Sequence, residues 1–86
     1  MLKIYGSMLC PDCVLCCEEL TAAGVVYEFH DFADSLGNLK EFLAIRDNSE
    51  LFDSARRERK IGIPCIVEDG GAVSLSWDAY VSQDKA

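Results

Sequence analysis

The chain has 86 residues, half of them hydrophobic, enough for one small folded unit with its own core and for little more. Its formal net charge of −7 argues against a nucleic-acid partner, because such binding rests on Lys and Arg meeting phosphate. No apolar stretch approaches the roughly 20 residues of a membrane span, and the N-terminus lacks the pattern of a secretory signal. Neither membrane association nor secretion is expected.

Leu2 to Tyr5 reads as a short buried strand ending at Gly6. Pro11 suits the first turn of a helix, where its missing N–H would be unpaired anyway. The helix is predicted to run to about Ala23 and stop at Gly24. Val25 to Phe29 is rich in β-formers and reads as a second strand, parallel to the first. Asp34-Ser35-Leu36-Gly37 looks like a turn into a second helix, with Leu39, Phe42, Leu43 and Ile45 at helical spacing. Ser49 suits the cap of a third helix that buries Leu51, Phe52 and Ala55 and ends near Gly62. Cys65 to Glu68 and Ala72 to Leu75 read as antiparallel strands joined by a hairpin turn at Asp69-Gly70-Gly71. Ser76 is expected to cap a short last helix containing Trp77, Tyr80 and Val81. The order implies an α/β fold, βαβ-α-ββα, with a four-stranded mixed sheet flanked by helices, and a single domain over residues 1–86.

Five cysteines is an odd number, and four of them fall between positions 10 and 17. This suits a reducing compartment, the cytoplasm, with catalytic or metal-binding thiols. Cys10-Pro11-Asp12-Cys13 places two thiols three positions apart at a strand-to-helix junction, where they can close a reversible disulfide or hold a metal. The free N–H groups and dipole of a helix N-terminus favour thiolate, the nucleophilic form. Cys10 is therefore expected to attack, and Cys13, one turn in, to resolve the mixed disulfide. The charge of Asp12 opposes part of the thiolate stabilisation. Ile63-Pro64 heads a later apolar run. Beside such a thiol pair it is expected to be a cis proline facing the thiols, leaving the Ile63 backbone free to pair with an extended substrate chain.

Cys17 shares a helix face with Cys13 and Leu20 and reads as a small buried hydrophobe, with Cys16 on the flank as a semi-exposed thiol. Cys65 reads as an accessory thiol or a plain strand residue. The competing zinc or iron–sulfur reading would use Cys10, Cys13, Cys16 or Cys17, and Cys65. Thiols on consecutive turns of one straight helix do not converge on a single ion, so no metal is expected. His30 reads as a strand-end surface residue. Arg56, Arg57, Arg59 and Lys60 are either a solvated helix face or a cationic site, with Lys60 nearest Pro64.

With the strand Leu2–Tyr5, the Cys10-Pro11-Asp12-Cys13 motif, Ile63-Pro64, the hairpin at Asp69–Gly71 and the final helix, nearly the whole chain resembles the glutaredoxins of the thioredoxin-like superfamily. The match is closest to bacterial glutaredoxin-related proteins. The resemblance implies a cytoplasmic thiol–disulfide oxidoreductase acting in cell redox homeostasis on protein disulfides or glutathione mixed disulfides. Cys10 would be its nucleophile, Cys13 its resolving thiol and glutathione its reductant. It further implies a monomer, with substrate held by Ser7, Leu9, Pro11 and Asp12 beside the thiols, by Lys60, Ile63 and Pro64, and by Trp77 and Asp78. Ser7 stands where the family usually carries a lysine that reaches a glutathione carboxylate. Leu75-Ser76-Trp77-Asp78 stands where a Gly-Gly-x-Asp type segment is usual, leaving Asp78 and the Ser76 cap to bind the γ-glutamyl group. The long interval from Phe32 to Pro64 implies that the helix between is split in two. Some relatives instead hold a [2Fe–2S] cluster between subunits through the first cysteine, and a dithiol carrier reduced by a flavoenzyme is a further alternative.

Overall fold

A computed structural model describes residues 1–83. Four strands form one mixed sheet: β1 (Leu2–Gly6), β2 (Tyr27–Asp31), β3 (Cys65–Val67) and β4 (Val73–Ser74), in the spatial order β2-β1-β3-β4. β1 runs parallel to β2 and antiparallel to β3, and β3 runs antiparallel to β4. The helices are α1 (Pro11–Ala22), α2 (Leu36–Asp47), α3 (Asp53–Arg57) and α4 (Asp78–Gln83), with a 3-10 turn at Glu50–Phe52 leading into α3. The expected α/β class and mixed four-stranded sheet are therefore present, and the helical segment between β2 and β3 is divided.

Alternation along the strands assigns the two faces. Ile4 and Ile66 point to one side and pack with Cys16 and Leu20 of α1, joined by Trp77, Tyr80 and Val81 from the α4 region. Tyr5 and Cys65 point to the other side and pack with Phe42 of α2 and Phe52 of the 3-10 turn. The Phe42 and Phe52 rings meet edge to face with centroids 5.9 Å apart. Burying each of these rings contributes roughly 1.5–3 kcal/mol. No helix among the described residues is long and apolar enough to cross a membrane.

Several boundaries differ from the sequence expectation. β2 begins at Tyr27 rather than Val25 because the Val25 N–H closes α1 by donating to the Leu20 carbonyl at 3.0 Å. The ladder therefore starts with Leu2 opposite Tyr27. α3 ends at Arg57, well short of Gly62. There Arg59 takes a left-handed backbone (φ 59°), and the Lys60 N–H folds back to the Ala55 carbonyl at 2.8 Å. β3 and β4 are each shorter than expected. Ser74 Oγ accepts from the Ser76 N–H at 3.1 Å and so turns the chain out of the sheet. The last helix starts at Asp78, with the Trp77 carbonyl accepting its first bonds, so Trp77 precedes the helix and Ser76 is not its cap.

Gly62 locks the end of the α3 segment onto the core. Its φ of +93° lies where side chains are strained, and a Cβ there would stand 2.7 Å from Phe52 Cδ2. Gly62→Ala is expected to lower stability by roughly 1–3 kcal/mol in urea unfolding. Gly70→Ala, where a Cβ meets nothing within 4 Å, should change it by less than about 0.5 kcal/mol. Equal effects at the two positions would refute this account of Gly62.

Candidate functional site

The site lies where β1 ends and β3 begins. Because β1 and β3 are antiparallel with Tyr5 opposite Cys65, the residues after Gly6 and those before Cys65 arrive at the same end of the sheet. Cys10 occupies the N-cap of α1 with an extended backbone (φ −93°, ψ 119°), and Pro11 follows as the first helical residue. Its side chain caps nothing, and the residue is half-buried. A short turn sets its position. The Cys10 N–H donates to the Ser7 carbonyl at 3.0 Å, and the Leu9 N–H donates to Ser7 Oγ at 3.1 Å.

Cys13 sits one turn into α1 and is fully buried. A Cβ on Gly6 would come within 2.6 Å of Cys13 Sγ, so the sulfur rests directly on the end of β1, which only glycine allows. Burial pushes the Cys13 thiol up to about 12; the nearby Ser7 backbone opposes this, and the neighbouring Cys10 side chain adds to it. Cys13 is thus a protonated thiol one helical turn from Cys10. Two thiols so spaced at a helix start can form a disulfide once oxidised.

Across from Cys10 the Ile63-Pro64 peptide is cis, as the motif pairing anticipated. Pro64 is buried and Ile63 half-buried. Two grooves flank Cys10. One, of about 470 Å³, runs along Ile63, Pro64 and Leu75 to Glu58, Arg59 and Lys60. The other, of about 590 Å³, is lined by Ser7, Leu9, Phe32, Ala33, Ile61 and Ile63. The structure therefore gathers Ser7, Leu9, Lys60, Ile63 and Pro64 around Cys10, with Pro11 and Asp12 exposed on the adjoining first turn of α1.

Trp77 does not join them. It packs into the α1-side core and donates its indole N–H to Glu19 Oε1 at 2.7 Å. Asp78 is exposed at the start of α4 and lines neither groove. The segment reaches the site through Leu75 instead. Leu75, Phe32 and Ile61 are lining residues that motif reasoning missed, because only the tertiary path of the chain brings them to Cys10, and Arg59 of the basic cluster joins them.

The remaining thiols serve packing. Cys16 is fully buried rather than semi-exposed, since α4 and Trp77 cover the flank that a two-layer reading leaves open. Cys17 is buried too, and the Tyr27 hydroxyl donates to its backbone carbonyl at 3.3 Å. Cys65 faces the α2 side, opposite Cys16, so these two thiols do not converge. His30 is the penultimate residue of β2, with Nε2 3.3 Å from Glu28 Oε1 and Nδ1 3.4 Å from Asn38 Oδ1. In the basic cluster, Arg56 is structural, donating to the carbonyls of Arg46 at 2.5 Å and Ser49 at 3.2 Å, whereas Arg59 and Lys60 line the first groove.

The buried thiols make a testable contribution to pH dependence. Burial raises Cys16 to about 12 and Cys65 to about 11, alongside Cys13. Below pH 9 both folded and unfolded chains keep these protons, so stability is unaffected. Between pH 9 and 12 the unfolded chain loses them first, and stability falls as pH rises. Urea unfolding at pH 8 and pH 10 should show this decline. Cys65→Ala should flatten it by up to about 1.4 kcal/mol per pH unit, and an unchanged slope would mean that this thiol plays no part.

Among proteins of known sequence, the chain is 38% identical over 72 residues to a protein of Haemophilus influenzae described as uncharacterized, the match covering 84% of each. No family model and no solved structure matches it. At that identity and coverage, the chain belongs to the same family as this uncharacterized H. influenzae protein.

Proposed function

We propose that the chain is a thiol–disulfide oxidoreductase of glutaredoxin type, with a thioredoxin-like topology, reducing protein disulfides or glutathione mixed disulfides in the cytoplasm. The observation that carries this reading is the unequal thiol pair. Cys10 is half-buried at a helix N-terminus between two grooves, and Cys13, one turn further on, is fully buried and protonated. The cis Ile63-Pro64 peptide facing the pair, and a sheet in which βαβ is followed by ββα, support the same reading.

In this mechanism the Cys10 thiolate attacks one sulfur of the substrate disulfide, and the other sulfur leaves as a thiolate with the bonding electron pair. Cys13 then attacks Cys10 Sγ. Its proton passes to the departing substrate thiolate, and a Cys10–Cys13 disulfide closes. The nearby Ser7 backbone favours the Cys13 thiolate needed for that step. Glutathione, the proposed reductant, returns the pair to thiols, and the protein acts as a monomer.

A titration in glutathione redox buffers, with free thiols alkylated and masses read, tests the proposal. The wild-type chain should gain one internal disulfide mapping to Cys10–Cys13. Cys13→Ser should stop at a single glutathione adduct on Cys10. Cys10→Ser should lower disulfide reduction by at least about 10³-fold. Protein-disulfide reduction left intact in Cys10→Ser, or an internal disulfide that excludes Cys10, would overturn it.

A further inference from the structure

The two grooves at Cys10 differ in chemistry. The second carries Ser7 as its single polar lining residue and no charged one. Two of its apolar walls stand in water: Leu9, directly before Cys10, is 93% exposed and Ile61 is 56% exposed. Covering such surface is worth roughly 25 cal/mol per Å². The first groove is bounded by Glu58, Arg59 and Lys60. Lys60 Nζ lies 3.1 Å from Glu58 Oε1, whereas Arg59 has no ion-pair partner among the described residues. Arg59 also holds a left-handed backbone, a position glycine would occupy without strain. A guanidinium kept there at the lip of the groove presents a planar fork suited to a carboxylate.

Building on the proposed role of Cys10, we infer that the substrate is a polypeptide disulfide whose reacting cysteine has an apolar residue on one side and an acidic residue on the other. The apolar side chain seats between Leu9, Phe32, Ile61 and Ile63, and the carboxylate meets Arg59. Glutathione has carboxylates but no apolar side chain, so it would leave the second groove unfilled and Leu9 in water. The Cys10 thiolate attacks the peptide cysteine sulfur, forming a peptide–Cys10 disulfide while the other sulfur departs as thiolate. Attack by Cys13 releases the reduced peptide and leaves Cys10–Cys13 oxidised.

The test uses end-blocked tripeptides with a central cysteine held as its mixed disulfide with thionitrobenzoate. Leucine and aspartate flank the cysteine in either order. Companion peptides replace leucine by serine or aspartate by asparagine, and glutathione carries the same leaving group. Thionitrobenzoate release by pre-reduced protein in a single turnover, with substrate in excess, gives the second-order rate constant of the attack. The better leucine–aspartate peptide should exceed each companion, and glutathione, by about tenfold. Leu9→Ser should reduce the leucine-over-serine ratio to within about twofold. Arg59→Gly should do the same for aspartate over asparagine while keeping or raising thermal stability, a result that a purely structural role for Arg59 would not give. Equal rates for all the substrates, or glutathione the fastest, would overturn this inference and leave the exchange chemistry standing. Release no faster than by Cys10→Ser would overturn both.

Discussion

The pairing of Tyr5 with Cys65 is the contact on which the site depends. β1 ends and β3 begins at that point, so the turn carrying Cys10 and the peptide carrying Pro64 are delivered to one edge of the sheet from distant parts of the chain. Closing so long a loop costs entropy before any contact forms. Ile4 and Ile66 on one face, and Tyr5 and Cys65 on the other, are all buried and supply the offsetting hydrophobic term. The same pairing explains why the grooves have walls from several elements. β1 contributes Ser7 and Leu9 through its following turn, β2 contributes Phe32 and Ala33, and the approach to β3 contributes Ile61 and Ile63.

Depth separates the five thiols into two environments. Cys10 stands at the helix mouth beside open grooves, whereas Cys13 is pressed onto Gly6 and keeps its proton. Cys16, Cys17 and Cys65 pack as small apolar side chains, and burial raises each of them. Side-chain chemistry is the same at all five positions. What differs is access to water and to the sulfur next door, and these govern whether a thiol reacts or fills space.

The loop from Glu58 to Pro64 shapes the first groove beside Cys10. Its path follows from the early end of α3, where Arg59 turns left-handed and Lys60 folds back onto Ala55. Arg46 anchors it from α2 by donating to the Lys60 carbonyl at 3.0 Å, and Gly62 seats against Phe52. One run of basic residues is thereby divided. Arg56 turns inward to bind backbone carbonyls, and Arg59 and Lys60 turn to the groove beside Cys10. A continuous helix to Gly62 would have kept them on one solvated cylinder.

Local chemistry settled much of the architecture from the sequence alone. Pro11 at a helix start, Gly24 at its end, β-formers on either side and the Asp69-Gly70-Gly71 turn are signals carried within a few residues, and each element they announce is present. The juxtaposition of Cys10, Cys13 and a cis Pro64 was also legible, because strand order and the two motifs together leave few ways to place them. The ends of α3 and β2 were not, since an arginine took the left-handed position where glycine is the usual mark, and the Val25 N–H was claimed by the closure of α1. Nor could helical periodicity show that α4 and Trp77 would cover Cys16 and withdraw Trp77 from the site, or that Leu9 and Arg59 would bound opposite grooves. The sequence by itself determined the elements and the Cys10-Pro11-Asp12-Cys13 motif at a helix start, because propensity and spacing act over one or two turns of chain. Only the tertiary structure decided which thiols are buried and which side chains border Cys10, because burial and groove shape arise from packing between segments far apart in sequence.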